Sequence, residues 1–391
     1  MPSTASSDPA PAADRGKEIL IVAGEASGDL HGSRLVGEML AADPSLRFFG
    51  VGGKRMEAAG VELYAACADM AVVGLTEVFG KLHFFLGVLK RLKNSLRSRR
   101  PDLVILIDYP DFNLPLARAA RRVNIPVLYY ISPQVWAWRQ GRIADIRKRV
   151  TRMAVILPFE KTLYEESGMT DVHFVGHPLL DIVHRGDPPG EIRRKLGLEA
   201  EGLVLALLPG SRTGEVKRLL PLMAETAVLL KRRLPGLEFV LPLAETVEEG
   251  TVREILDRFS LGVRVAPNGM YDLLAASDAA LVASGTATLE TALMGTPMAV
   301  VYRVSPLSSF IGRLVIRIRT IALVNIIAGE TVVPEFIQER AEPERLSRAL
   351  LEILTNQAVR TKMTARLAGI REKLGEPGAA KRVAKLALDL L

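Results

Sequence analysis

The 391-residue chain has a single cysteine, Cys67. No internal disulfide can form and no thiolate cluster can hold a metal, which fits a reducing compartment. Histidine is scarce as well. His31, His83, His173, His177 and His184 follow no H-E-x-x-H or comparable ligand spacing. Aromatic residues make up only 5% of the chain, with tryptophan occurring twice. No window reaches about 18 uncharged apolar residues, so no membrane-spanning helix is expected. There is no G-x-S-x-G elbow, which argues against acyl transfer by a serine nucleophile. Residues 1–16, rich in Pro, Ala, Ser and Asp, lack the cationic start and apolar centre of a signal peptide and read as a disordered tail.

What the chain has is apolar residues, 49% of the total, enough for two cores. Its length fits two domains of roughly 180 residues each. A net charge of +7 suits an anionic partner: nucleic acid, a membrane surface or a phosphorylated substrate. Runs rich in Val, Ile and Leu alternate with amphipathic stretches along the chain. Strands are predicted near 19–23, 47–51, 103–107, 127–131, 153–157 and 172–175, then near 203–208, 238–242, 263–266, 280–283 and 298–302. Continuous apolar runs bounded by turns mark strands buried on both faces, so the class is α/β with parallel sheets. Arg-Gly-Asp-Pro-Pro within 184–189 breaks regular structure and sets a domain boundary, and from about Glu342 the pattern is helical to the end.

Pro209-Gly-Ser-Arg-Thr-Gly-Glu215 is the most informative stretch. A buried strand that ends in a Gly turn and opens a helix leaves free N–H groups, here near Gly210 and Ser211, at the positive end of the helix dipole. Arg212 adds a planar charged fork suited to phosphate. Gly24–Asp29 repeats the strand-turn-helix plan about 185 positions earlier, although such a turn alone would suit any α/β sheet. Gly24–Gly28 does not match the dinucleotide G-x-G-x-x-G spacing, and neither turn has the Lys-Ser/Thr ending of a triphosphate loop. Ser284, Gly285, Thr286 and Thr288 form another helix start of this kind. Glu290, one turn deeper, could accept from ribose hydroxyls or simply be solvated.

Ile107–Asn113 ends a buried strand with Asp108 and Asp111 at the sheet edge where open α/β folds bind ligands. Asp111 is the first choice for a general base, on the expectation that Pro110 shapes a loop ahead of a helix starting near Phe112; helix capping is its plainer role. Asp108 would orient the loop, and Glu25 could serve as base instead. Ser132–Trp138 carries both tryptophans just past a strand, for packing or for sugar stacking. Phe79–Arg100 reads as an amphipathic basic helix, either packed on the sheet or lying at a membrane interface. In the second case Phe84, Phe85 and Leu86 would enter the bilayer and Lys90, Arg91 and Lys93 would meet head groups.

Taken together, these blocks resemble the lipid-A-disaccharide synthase family from about Ile19 to the last residues. The resemblance rests on Ala23-Gly-Glu-Ala-Ser-Gly-Asp29, Ile107-Asp-Tyr-Pro-Asp-Phe-Asn113, Ser132-Pro-Gln-Val-Trp-Ala-Trp-Arg-Gln140, Leu157-Pro-Phe-Glu160, Phe174-Val-Gly-His-Pro178, Leu208-Pro-Gly-Ser-Arg212, Ala283-Ser-Gly-Thr-Ala-Thr-Leu-Glu290 and Val324-Asn-Ile-Ile-Ala-Gly329. Leu30-His31 and Val324 depart from the usual pattern. The resemblance implies a GT-B glycosyltransferase: two Rossmann-like parallel-sheet domains facing a cleft. Residues 17–184 would be the acceptor and membrane-facing domain, 190–341 the UDP-sugar donor domain, and 342–391 helices that can cross back. It implies transfer of 2,3-diacylglucosamine from UDP-2,3-diacylglucosamine to the 6-hydroxyl of 2,3-diacylglucosamine 1-phosphate, with inversion. No metal or other cofactor is implied. The setting would be the cytoplasmic side of the inner membrane, peripherally bound, without nucleic acid. Asn325 is expected beside the diphosphate or sugar. A UDP-sugar 2-epimerase of similar fold is the nearest alternative, but it would not need the aromatic-basic helix. A non-catalytic membrane- or nucleic-acid-binding protein would explain the charge but not the paired anion loops.

Overall fold

The computed structural model describes residues 16–70, 75–136, 141–184, 186–267, 269–303 and 320–391, with the backbone alone over 75–82. The expected tail over 1–15 and Trp138 lie outside the described residues. Two parallel sheets organise the chain. The first has seven strands: β1 (Glu18–Ala23), β2 (Arg47–Gly52), β3 (Val61–Ala66), β4 (Leu103–Ile107), β5 (Val127–Tyr130), β6 (Arg152–Val155) and β7 (Val172–Phe174). They run in the order β3-β2-β1-β4-β5-β6-β7. The second has six: β8 (Val204–Leu208), β9 (Glu238–Leu243), β10 (Val263–Pro267), β11 (Ala279–Ala283), β12 (Met298–Tyr302) and β13 (Glu335–Ile337), ordered β10-β9-β8-β11-β12-β13. The α/β class expected from the sequence is what forms.

Strand alternation explains why both faces of the first sheet are covered. Ile19 and Ile21 of β1 join Leu103, Ile105 and Ile107 of β4 in one apolar cluster. Leu20 and Val22 join Val104 and Leu106 in a different one. Successive side chains point to opposite faces, so an uninterrupted apolar strand needs helices on both sides. On the first of these faces Val383, Ala384 and Ala387, from the final helix Ala379–Leu388, pack beside Leu35, Val36 and Met39. Asp181 fixes the start of that helix by accepting from the N–H groups of Gly378 and Ala379. Arg152 donates to the Leu386 carbonyl at 2.8 Å.

In each sheet the strand order reverses direction at one place, between β1 and β4 in the first and between β8 and β11 in the second. Loops leaving the carboxyl ends of two strands on either side of such a reversal diverge, opening the crevice where α/β proteins bind ligands.

Candidate functional site

Every loop singled out by its sequence as anion-binding or carboxylate-bearing leaves one of those four strands. On the first sheet, Gly24 and Glu25 follow β1. A Cβ at Gly24 would lie 2.3 Å from the Tyr109 ring, so only glycine lets the β1 and β4 loops meet. Glu25 is the extended N-cap of helix Ala26–Ala42. Asp29, in that helix's first turn, is buried and accepts from the N–H groups of Gly53, Arg55 and Met56 at 2.7–3.2 Å. It therefore caps helix Lys54–Ala58 and ties the β1 loop to the β2 loop. The motif around it gives no sign of that task.

The β4 loop is strained. Asp108 and Tyr109 are consecutive non-glycine residues in the left-handed region, at φ 43° and 49°; such conformations persist only where the surroundings over-determine them. Here Asn113 Nδ2 donates to the carbonyls of Ile107 and Asp108, at 3.2 and 2.6 Å. The Tyr129 hydroxyl donates to the Asp108 carbonyl at 2.6 Å, and the Tyr109 hydroxyl to that of Met70 at 3.0 Å. The helix begins at Pro110, earlier than the expected Phe112. Proline suits the first helical position because its fixed φ fits and its missing N–H is not needed there. Pro110 thus starts the helix rather than shaping a loop ahead of it.

The two carboxylates of this loop differ. Asp111, in the first helical turn, has a side chain 74% exposed and is paired with Arg142 Nη2 at 2.5 Å. Asp108 is solvent-exposed, yet the protein around it strips part of the hydration from its carboxyl. That desolvation, and then the Glu25 charge, raises its carboxyl to about pKa 6.

Beyond β5, the Trp136 indole donates to Glu160 Oε1 at 3.2 Å and stacks edge-on against Phe159 at 5.3 Å. Glu160 also accepts from the Leu157 N–H at 3.2 Å. Burial pushes its carboxyl up to about 8, only partly offset by these bonds. For Trp136 the plainer role, packing, is what the structure shows. Nearby, His31 lies edge-on to Tyr130, and burial lowers His31 to about 4 and His177 to about 3. Both imidazoles are neutral at physiological pH.

On the second sheet, Gly210 takes φ 115°, and Arg212 is the extended N-cap of helix Thr213–Arg233. The Ser211 carbonyl accepts from the Thr246 hydroxyl. Arg212 Nη2 reaches across to Glu25 at 3.3 Å, and Nη1 lies 3.8 Å from Glu215. A second ion pair, Arg55 to Glu245 at 3.7 Å, also spans the two halves. After β11, Gly285 is the N-cap of helix Thr286–Met294 and makes no side-chain cap bond. Ser284 donates to the Ile321 carbonyl at 3.2 Å, and Thr288 to that of Gly285 at 2.8 Å. Glu290 accepts from the Tyr271 hydroxyl at 2.9 Å, and burial raises its pKa.

Asn325, expected beside the diphosphate or sugar, has its amide engaged on every side by its own chain. It is buried, with Nδ2 donating to Val333 and Glu335 at 2.8 and 2.6 Å. Its Oδ1 accepts from the N–H groups of Val332 and Val333 at 2.7 and 3.0 Å. Both donors and both acceptor directions are used, so the amide shapes the chain leading into β13.

Helix Leu75–Ser98 turns Phe85, Val88, Leu89, Leu92 and Leu96 toward the first sheet. Phe84 and Leu86 point outward, 41% and 55% exposed. Arg91 lies 4.3 Å over the Tyr64 ring, while Lys90 is exposed and Lys93 half-buried. The apolar trio expected at a bilayer therefore reduces to two outward residues, because helical spacing carries Phe85 onto the core-facing stripe. Among the described residues, no helix is long and apolar enough to cross a membrane, and no group of three or more His, Cys, Asp or Glu could hold a metal ion.

Comparison with known proteins agrees with this geometry. A family model described as lipid-A-disaccharide synthetase matches residues 19–388. The curated lipid-A-disaccharide synthase of Syntrophus aciditrophicus (strain SB) is 54% identical over 376 residues, covering 96% of this chain and 98% of the relative. Among solved structures, a UDP-GlcNAc 2-epimerase from Neisseria meningitidis bound to UDP-GlcNAc superposes with a TM-score of 0.66 at 13% identity, covering 95% of this chain and 100% of its own. A calicheamicin glycosyltransferase gives 0.60 at 16%, covering 96% and 99%. At such identity the structural likeness speaks for the fold alone, which is the GT-B arrangement.

Proposed function

Since the chain belongs to the lipid-A-disaccharide synthase family, and so is a glycosyltransferase of lipid A biosynthesis, we propose that it moves 2,3-diacylglucosamine from UDP-2,3-diacylglucosamine to the 6-hydroxyl of 2,3-diacylglucosamine 1-phosphate, with inversion. The observation that carries this reading is the cross-cleft approach of Arg212 to Glu25, which brings the crevices of the two sheets onto one space. The second sheet takes the donor. Arg212 and the N–H groups at the starts of helices Thr213–Arg233 and Thr286–Met294 meet the diphosphate, and Glu290 accepts from the ribose. As the anomeric C–O bond breaks, negative charge grows on the leaving UDP, where these groups already stand. The first sheet takes the acceptor. Asp111, a solvent-open carboxylate beside the β4 loop, accepts the 6-hydroxyl proton as oxygen attacks from the face opposite the departing UDP. Arg142 keeps that carboxylate in place. Acceptor-dependent release of UDP is the test of this reaction, since an epimerase of the same fold has no acceptor to glycosylate.

Acylated substrates must reach the cleft from a lipid phase. Phe84 and Leu86, beside the exposed Lys90, are the apolar residues that helix Leu75–Ser98 offers to a bilayer. Phe84→Ser with Leu86→Ser should therefore reduce binding to vesicles containing anionic phospholipid by about tenfold or more in flotation, with the fold intact by circular dichroism. Undiminished flotation would make this helix a packing element only.

A further inference from the structure

Arg212 does not stand open to a ligand: its guanidinium is already shared between two carboxylates of different origin. Glu215 is a neighbour on its own helix, three residues on, at 3.8 Å. Glu25 is 187 positions away in sequence and comes from the opposite side of the cleft, with Oε2 at 3.3 Å and Oε1 at 3.4 Å from Nη2. Each is the N-cap residue of the helix that follows the first strand at its own sheet's reversal point, Glu25 after β1 and Arg212 after β8. Neither side chain caps its own helix, and the two meet across the cleft.

We propose that Glu25 is a positioning residue that holds Arg212 across the cleft and gives it up to the donor's diphosphate, so that donor binding exchanges one anionic partner of Arg212 for another. The inference rests on the reading of Arg212 as the diphosphate ligand. One guanidinium has five N–H donors in a single plane, and a diphosphate engaging that fork leaves no planar approach for a carboxylate from the facing side. Glu215 can remain because it belongs to the same helix. Glu25 must withdraw, and it withdraws toward its own sheet. There its charge is already felt by Asp108 on the neighbouring loop. Both members of the pair are about half exposed, at 52% and 45%. An exposed ion pair is worth little, typically about 0.2–1 kcal/mol. It can therefore hold a side chain in place and still be broken by a doubly charged ligand.

The experiment is calorimetric titration of UDP into the full chain and four variants: Glu25→Gln, Arg212→Ala, the two combined, and Glu245→Gln. Glu245→Gln removes the carboxylate of the other cross-cleft pair, with Arg55. The expected result is tighter UDP binding in Glu25→Gln by roughly two- to fivefold, matching the exposed-pair range. Glu245→Gln should match the unmodified protein, and the combined variant should match Arg212→Ala, because without the guanidinium nothing remains to release. Steady-state kinetics should show the gain in the donor KM and not in kcat. The proposal is overturned if Glu25→Gln leaves UDP affinity unchanged or weakens it while Arg212→Ala weakens it. It is also overturned if the gain persists in the combined variant or appears equally in Glu245→Gln, since plain charge removal would then explain it. If Arg212→Ala leaves UDP affinity unchanged, the diphosphate reading itself falls and takes this inference with it.

Discussion

Asp111→Asn should lower turnover by about 10²–10⁴-fold while UDP binds with unchanged affinity, because the substitution removes a proton acceptor and little volume. The split between turnover and binding follows from the architecture. Asp111 follows β4 of the first sheet, and the groups assigned to the nucleotide follow β8 and β11 of the second. Asp108 is the rival, since its carboxyl, raised to about 6 by burial and by Glu25, lies closer to neutrality than an ordinary aspartate. The pH profile separates the two. With Asp108 as base, activity falls as the pH drops through 6, because the carboxylate is lost to protonation there, and that limb vanishes in Asp108→Asn along with most of the turnover. Full activity in Asp111→Asn, with loss in Asp108→Asn or Glu25→Gln, would move the role to that residue.

Arg212→Ala is expected to weaken UDP binding by about tenfold to a hundredfold, the range that follows from losing a charge-assisted contact of about 1.5–3 kcal/mol. Turnover should fall further than affinity. The diphosphate carries more charge on the leaving group in the transition state than in the bound donor, and stabilisation that grows along the reaction appears in kcat. Arg212→Lys should restore only part of the loss, because an ammonium keeps the charge but not the planar fork. Calorimetry with UDP and steady-state kinetics with both substrates measure the two quantities separately. Unchanged affinity together with unchanged turnover would remove Arg212 from the site.

Central strands could be read from the sequence because burial on both faces leaves an uninterrupted apolar run; β4 and β11 appear within a residue of their ends. The strands left unread, β3 and β13, lie at sheet edges. Val61–Ala66 carries Glu62 and Tyr64 and is mostly half-buried, and Glu335–Ile337 has three residues, none fully buried. An edge strand has one neighbour and partial cover, so its sequence needs no apolar continuity. The site followed the same logic. Gly24, Gly210 and Gly285 mark turns at strand ends, and their spacing to Arg212 and Glu290 is local, so the loops could be located. The partners could not. Nothing in the sequence pairs Glu25 with Arg212, aims Asn325 at its own chain, or uses Asp29 to cap the helix after β2, because each depends on how distant segments pack. Phe85 went astray by one helical position: three adjacent apolar residues look alike in sequence, but only Phe84 and Leu86 stay outside once Val88, Leu92 and Leu96 choose the buried face.

The most direct measurement of the central claim is UDP release from UDP-2,3-diacylglucosamine by the purified protein, with and without 2,3-diacylglucosamine 1-phosphate. The account predicts stoichiometric UDP and a β-linked disaccharide 1-phosphate when both are present, and negligible UDP from the donor alone. UDP released at the same rate without the acceptor, or a donor altered at its sugar with no disaccharide formed, would contradict it.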